Sequence, residues 1–397
     1  MQLPPSTQAP TLLVDLQFLL DRRLYHQLPT NEIAPGFADS KHQPPLGSSL
    51  ESLIQAGHFR RAAETALAEL LTSNAGDAAR IFKLLYTRLA CLVVISRPDL
   101  AADEAVPLTE FLNRNTPDAK DILPIVPWEL RLLLVRLQSI AAPEDDGGRR
   151  AIMSLYALAS EVRSHISHAK TENASPETIS TWSDRLIDLS LRVADTLVEN
   201  DDLATASRHL TTLSQSASTS NLPQKEDLTA RQTLLALRTG NLALAHSLIS
   251  TLSPASNLTR ETLTAHLQTT QGDFASAVES WRALAAAEDE NNENNENNNN
   301  TTNNVLPLQN LAVNLLYTNR ISEARSVLEG IVRDSPAAVS PSVLFNLSTV
   351  YELCTNRAVE RKEGLARFLA GREPESGAGA GGVGSGGWER TKGDFKL

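Results

Sequence analysis

The residues best suited to acid–base or metal chemistry are the eight histidines, and one pair falls at ligand spacing. His165 and His168 lie three apart in a stretch of helical periodicity, with Glu161 one turn earlier. Two imidazoles and a carboxylate on one helix face could ligate zinc or a similar cation. No Cys-x-x-Cys or His-Glu-x-x-His accompanies them, and a solvated polar helix face accounts for the same residues. Glu144-Asp145-Asp146 reads as an acidic turn, because nothing fixes two carboxylates across a cleft as acid and base. The glycine run at 377–387 lacks the Gly-Lys-Ser/Thr ending of a phosphate loop and reads as a linker. Arg149-Arg150 is too short for a nucleic-acid patch. The expectation is a protein with no catalytic, cofactor-binding or metal site, and not an enzyme.

What the spacing does specify is helix packing. A six-residue pattern (small or polar, polar, apolar, any, any, Ala) occurs five times, starting at Gly57, Asp201, Gly240, Gly272 and Asn319. The apolar third positions include Phe59, Leu203, Leu242, Phe274 and Ile321, and the closing alanines are Ala62, Ala206, Ala245, Ala277 and Ala324. Gly, Asn or Asp closes one helix, because each tolerates the left-handed conformation. Asn and Asp also cap the next helix. The apolar residue fills the groove between two helices, and the Ala lets them approach. Starts 240 and 272 are 32 residues apart; 272 and 319 are 47 apart with an Asn/Glu tract of about 15 residues between them. Removing that tract restores the period, the signature of a stacked helix-hairpin array.

The fullest copy runs from Pro307 to Pro336. Leu308, Leu311, Ala312 and Leu315 share one face of a first helix, Asn319, Ile321 and Ala324 form the turn, and Leu328 and Ile331 continue a second helix. Position for position these residues resemble the tetratricopeptide repeat, with Leu315 and Leu328 where aromatics are usual and Ile331 where Ala is usual. The fold expected is all-α: a tetratricopeptide-like helix-hairpin solenoid with an extended N-terminal segment and a disordered Asn-rich loop. Ala194, Thr233, Ala265 and Ala312 occupy positions where one familiar repeat class places the Lys, Arg and Asn that clamp a carboxylate tail, which argues against a co-chaperone.

Lys+Arg 36 against Asp+Glu 47 gives a net charge of −11, which argues against a nucleic-acid or anionic-membrane surface. The two cysteines, Cys91 and Cys354, sit in apolar helical patterns and read as free thiols in a reducing compartment. No apolar run reaches the length of a membrane span, and the N-terminus lacks the pattern of a signal peptide. A cytoplasmic protein is expected, with the sequons at Asn257 and Asn346 unused.

Three regions are expected along the chain. Residues 1–45 hold seven prolines and one short helix, with Leu12, Leu16, Leu19, Leu20 and Leu24 at helical spacing. Residues 46–372 form the array. It begins with a hairpin turning at Gly57, continues through a strong helix over 78–96, and includes a helix from Asp99 that Pro107 is expected to break. Leu130, Leu133, Leu134 and Leu137 form a core stripe in preference to a membrane-binding one. The segment 288–304 has too few apolar groups to bury and should be a disordered insertion. Residues 373–397 are a Gly-rich linker and a tail in which Trp388, Phe395 and Leu397 stand among charges. The tail either frays or docks.

The C-terminal part carries a further resemblance. Leu344-Phe-Asn-Leu-Ser-Thr-Val-Tyr-Glu-Leu353 is followed by a basic-acidic helix from Arg357 to Ala370, then Gly371, a linker and a tail ending Lys396-Leu397. This order resembles the family of the twelfth subunit of the trafficking protein particle (TRAPP) complex, over residues 46–397. Metazoan members carry a long N-terminal region that this chain mostly lacks. The resemblance implies a non-enzymatic scaffold joining large peripheral subunits, numbered eight, eleven and thirteen, to a core similar to a Rab exchange factor. It implies action in ER-to-Golgi traffic and autophagy, with peripheral association at early secretory and Golgi membranes through the complex. Tyr351, Arg357, Trp388, Phe395 and Leu397 are the candidate partner interface. The alternative is a peptide-binding repeat adaptor outside that complex.

Overall fold

In the computed structural model of the chain, the described residues are 16–114, 116–141, 146–172, 175–216, 222–253, 256–293, 305–334, 339–372 and 387–397. Among them every regular element is helical, apart from one isolated antiparallel bridge between Ile33 and Thr391. The chain divides into two compact units. The first comprises residues 1–147 and 370–391, the second 148–369 and 392–397.

The first unit contains α1 (Leu50–Gln55), α2 (Phe59–Leu71), α3 (Ala78–Val94), α4 (Pro98–Asn113), α5 (Pro117–Ile122) and α6 (Trp128–Ala141). Helix α3 shows why these segments are helical. Asp77 caps it by accepting the Arg80 N–H at 3.1 Å. Ile81, Leu85, Leu89 and Leu92 recur at three- and four-residue steps and bury one stripe. That stripe packs between α2 and α4, and α4 packs on α6. Leu130, Leu134 and Leu137 of α6 lie in the same core. Helix α4 is continuous through Pro107, contrary to the expected break. An interior proline costs about 3 kcal/mol, but Ala101, Ala102, Ala105 and Leu108 are all buried in the core on either side of it, and that burial offsets the cost.

The N-terminal leucines also join this core. Residues before Leu16 lie outside the described residues; from there the chain makes two 3-10 turns, Gln17–Leu20 and Arg22–Leu24, where one helix is expected. Asp21 separates them in an extended conformation and accepts the Arg23 N–H at 2.9 Å. Leu16 and Leu19 are buried against the helices. The following proline-rich stretch carries the 3-10 turn Thr30–Glu32 and then further turns, with Phe37 N–H bonded to Ala34 O and Ser40 N–H to Phe37 O.

The second unit contains α7 (Gly147–Thr171), α8 (Pro176–Glu199), α9 (Leu203–Ser216), α10 (Leu222–Arg238), α11 (Leu242–Thr251), α12 (Asn257–Gln271), α13 (Phe274–Glu293), α14 (Val305–Tyr317), α15 (Ile321–Asp334), α16 (Pro341–Cys354) and α17 (Ala358–Ala370). Each helix from α8 to α15 packs on the next, and α10 also packs on α12. This is the nearest-neighbour packing of a helix-hairpin stack. Residues 288–293, the start of the expected disordered insertion, are helical. Helix α13 runs on through 288–293, because extending an existing helix avoids the cost of nucleation, even across the poor helix formers Asp289, Asn291 and Asn292. Residues 294–304 lie outside the described residues.

Candidate functional site

The five predicted turns share one backbone geometry. Gly57, Asp201, Gly240, Gly272 and Asn319 have φ of +73°, +59°, +72°, +81° and +60°. At each, two N–H groups reach back into the helix that is ending. At Gly240 these are Gly240 N–H to Leu237 O at 3.0 Å and Asn241 N–H to Ala236 O at 2.8 Å; at Gly272 they are Gly272 N–H to Thr269 O at 3.1 Å and Asp273 N–H to Gln268 O at 3.0 Å. Asp202, Asn241 and Asp273 then cap the next helix through Thr205, Leu244 and Ser276 N–H at 3.1, 3.1 and 3.2 Å. The Ser276 bonds hold the Asp273 carboxyl below its usual range. Ala62, Ala206, Ala245, Ala277 and Ala324 are fully buried. A sixth turn escaped the sequence reading. Ser96 has φ +62°, Arg97 N–H bonds Leu92 O at 2.9 Å, and Ala101 is fully buried. Ser96-Arg97-Pro98-Asp99-Leu100-Ala101 fits the pattern with Pro in the apolar position.

In the first unit the Gly57 turn receives the C-terminal tail. Trp388 N–H donates to Gly57 O at 2.9 Å. The Trp388 ring meets Phe37 and His58 edge to face, with centroids 5.2 and 5.1 Å away. Its indole N–H donates to Arg372 O at 3.2 Å. Glu389 pairs with Arg60 at 3.3 Å, and the two side chains are 14% and 6% exposed. Ala34 N–H donates to Arg390 O at 2.9 Å, beside the Ile33–Thr391 bridge. Upstream, Ser40 Oγ–H donates to Ala370 O at 2.6 Å. The tail is thus pinned on the first hairpin and the proline-rich segment, bending at Trp388 and running beside Ile33 and Ala34 at Arg390 and Thr391. Burial raises the Glu389 carboxyl above its usual range; burial, with Arg61 nearby, lowers the His58 imidazole.

The same unit buries an ion pair. Arg88 and Glu104, 0% and 2% exposed, meet through two bonds of 3.0 and 2.8 Å. Their remaining capacity holds irregular backbone. Arg88 donates to His26 O at 2.8 Å and to Ala63 O at 3.3 Å, and Glu104 accepts His26 N–H at 2.9 Å. Tyr25 O–H donates to Leu19 O at 2.7 Å, and burial raises its pKa. Burial also pushes the Cys91 thiol up to about 12. This cluster fixes the N-terminal segment through its peptide groups.

In the second unit the last hairpin gathers charge around the end of the tail. Lys362, 3% exposed, donates to Glu352 at 2.5 Å and to Lys396 O at 3.1 Å. Lys396 donates to Glu352 at 2.6 Å and lies 5.1 Å from the Phe345 ring centroid. Those two lysine bonds hold the Glu352 carboxyl below its usual range. Of the candidate interface residues, Phe395 is fully buried and Tyr351 is 6% exposed, bonded to Glu329 at 3.1 Å. Both are therefore spent on internal packing, as Trp388 largely is in the first unit. Arg357 is exposed and Leu397 is 38% exposed.

The histidine pair does not converge. His165 stacks on Trp182 at 4.5 Å and faces Glu161 at 3.7 Å, while His168 pairs with Glu172 at 3.1 Å. Among the described residues no group of three or more His, Cys, Asp or Glu is placed to hold a metal ion. Among them, too, no helix is long and apolar enough to cross a membrane. No protein-family model matches the chain. Over 74 residues, 18% of its length, the chain is 38% identical to trafficking protein particle complex subunit 12 of Homo sapiens. It is 36% identical over 74 residues to the Mus musculus protein of the same name. The matched stretch spans 10% and 9% of those two relatives, so the chain matches about a tenth of their length.

Proposed function

We propose that the chain is a non-enzymatic scaffold subunit of a TRAPP-type vesicle-tethering and Rab exchange-factor complex, acting in ER-to-Golgi traffic and autophagy. The observation that carries this reading is the 38% identity over 74 residues to a TRAPP subunit. A stack of helix hairpins supports it physically, because such stacks offer long surfaces to other proteins and need no reactive centre. The partners in this reading are protein subunits resembling numbers eight, eleven and thirteen of that complex. The exchange chemistry belongs to the core. The chain is cytoplasmic and reaches early secretory and Golgi membranes through the complex. Its contact surface includes Arg357 and Leu397, together with Leu353 and Val359 of the last hairpin, which are exposed.

The test is gentle affinity purification of the tagged chain from its own cells, followed by mass spectrometry. Stoichiometric recovery of small core subunits together with large peripheral ones is the expected result. Recovery of the chain alone, or with chaperones only, would sink the proposal.

A further inference from the structure

The Gly57 turn and its surroundings have the parts of a peptide-recognition site. Each position of the tail meets a distinct chemical demand. At Gly387, with φ +85°, an added Cβ would fall 2.5 Å from Phe59 Cδ2 and 2.6 Å from Gly57 O, so only glycine fits. The next residue must be a large aromatic ring to reach both Phe37 and His58, with its backbone N–H on Gly57 O. The third is best an acid, because Arg60, which is 6% exposed and also donates to Pro29 O at 2.9 Å, faces it at 3.3 Å. The fourth and fifth lie extended beside Ile33 and Ala34, the hydrogen-bonding mode of an added strand.

We infer that the Gly57 turn, with Phe37, His58 and Arg60, is a binding site for a Gly-Trp-acid segment, which the chain's own tail occupies in cis. A partner protein presenting the same order of residues would compete for the seat. Because the tail belongs to the same chain, it competes for the seat intramolecularly and weakens the apparent affinity of any competing segment. The inference stands independently of the assembly proposed above.

The probe is a labelled peptide, Ser-Gly-Gly-Trp-Glu-Arg-Thr, corresponding to residues 385–391. Its binding is measured on the full-length chain and on full-length chain carrying Trp388→Ala and Glu389→Lys. The double variant empties the seat, and its affinity should exceed that of the unmodified chain by about 10-fold or more. A peptide with Ala in place of Trp should not bind saturably to either. Absence of saturable binding to the folded variant would overturn the site, and equal affinity for both chains would overturn its occupation in cis. If circular dichroism shows the variant unfolded, the unmodified chain decides. There, excess peptide should accelerate amide exchange in 387–391, and unchanged exchange overturns the inference.

Discussion

The turns at Gly57 and Gly272 are built alike and used differently. Both glycines are left-handed, at φ +73° and +81°, and both turns end in a fully buried alanine, Ala62 or Ala277. Yet an added Cβ at Gly272 would meet nothing within 4 Å, while Gly57 has Trp388 N 3.3 Å from that position and its carbonyl oxygen accepts the Trp388 N–H. The local motif therefore makes a hairpin in either unit. Whether the turn stays open or receives another segment is decided by residues hundreds of positions away.

The largest effect should come from the buried pair beneath the occupied turn. Replacing Arg88 by Met leaves Glu104 buried without its cation and should cost about 3–5 kcal/mol. The loss should fall on the first unit, so amide exchange should rise in α2–α4 while α12–α15 stay protected. Uniform loss across both units would erase the distinction drawn between them. Next is Gly387→Ala. Left-handed strain alone is worth about 1–2 kcal/mol, and the contact with Gly57 O cannot be relieved by a rotamer, so 387–391 should lose protection with the hairpin intact.

Gly272→Ala tests the open turn. It should cost only the strain, about 1–2 kcal/mol in urea denaturation. Gly272→Asn should cost less than half as much, since Asn319 holds the same geometry natively. Equal costs for Ala and Asn would count against a purely conformational role. The smallest effect concerns the last residues of the tail. Hydrogen bonds from Lys362 and Lys396 depress the Glu352 carboxyl below its ordinary 4.5. The folded state then binds fewer protons than the unfolded one, so this contribution is present above that value and fades as pH falls through the depressed one. Exchange in 392–397, corrected for intrinsic rate, should rise in acid, and a flat profile would remove Glu352 from the clasp.

The hairpins were legible because their information is local and periodic. Gly240-Asn241-Leu242 and Ala245 carry cap, turn, groove-filler and close contact within six residues. The sixth turn was missed because Pro98 reads as a helix stop, although Ser96 and Ala101 keep the spacing. The continuity of α4 was misread for the same reason: Pro107 has a local cost, and the burial that offsets it is tertiary. A signal for the buried pair was present, since Arg88 falls in register with Ile81, Leu85 and Leu92, a core position for a charge. The seat of Trp388 had no such signal. Its partners Phe37, His58 and Arg60 follow no shared period, and the tail's fraying or docking could be decided only by the fold.

The occupied first turn is what sets the first unit apart, and the amide of Trp388 reports on it alone. Hydrogen exchange on the full chain near neutral pH should find that amide protected, because it is bonded to Gly57 O. Replacing Gly57 by Ala should release it while the Gly272 turn stays unchanged. Exchange of Trp388 at the rate of a free peptide in the unmodified chain would contradict the docked tail and the peptide site inferred from it.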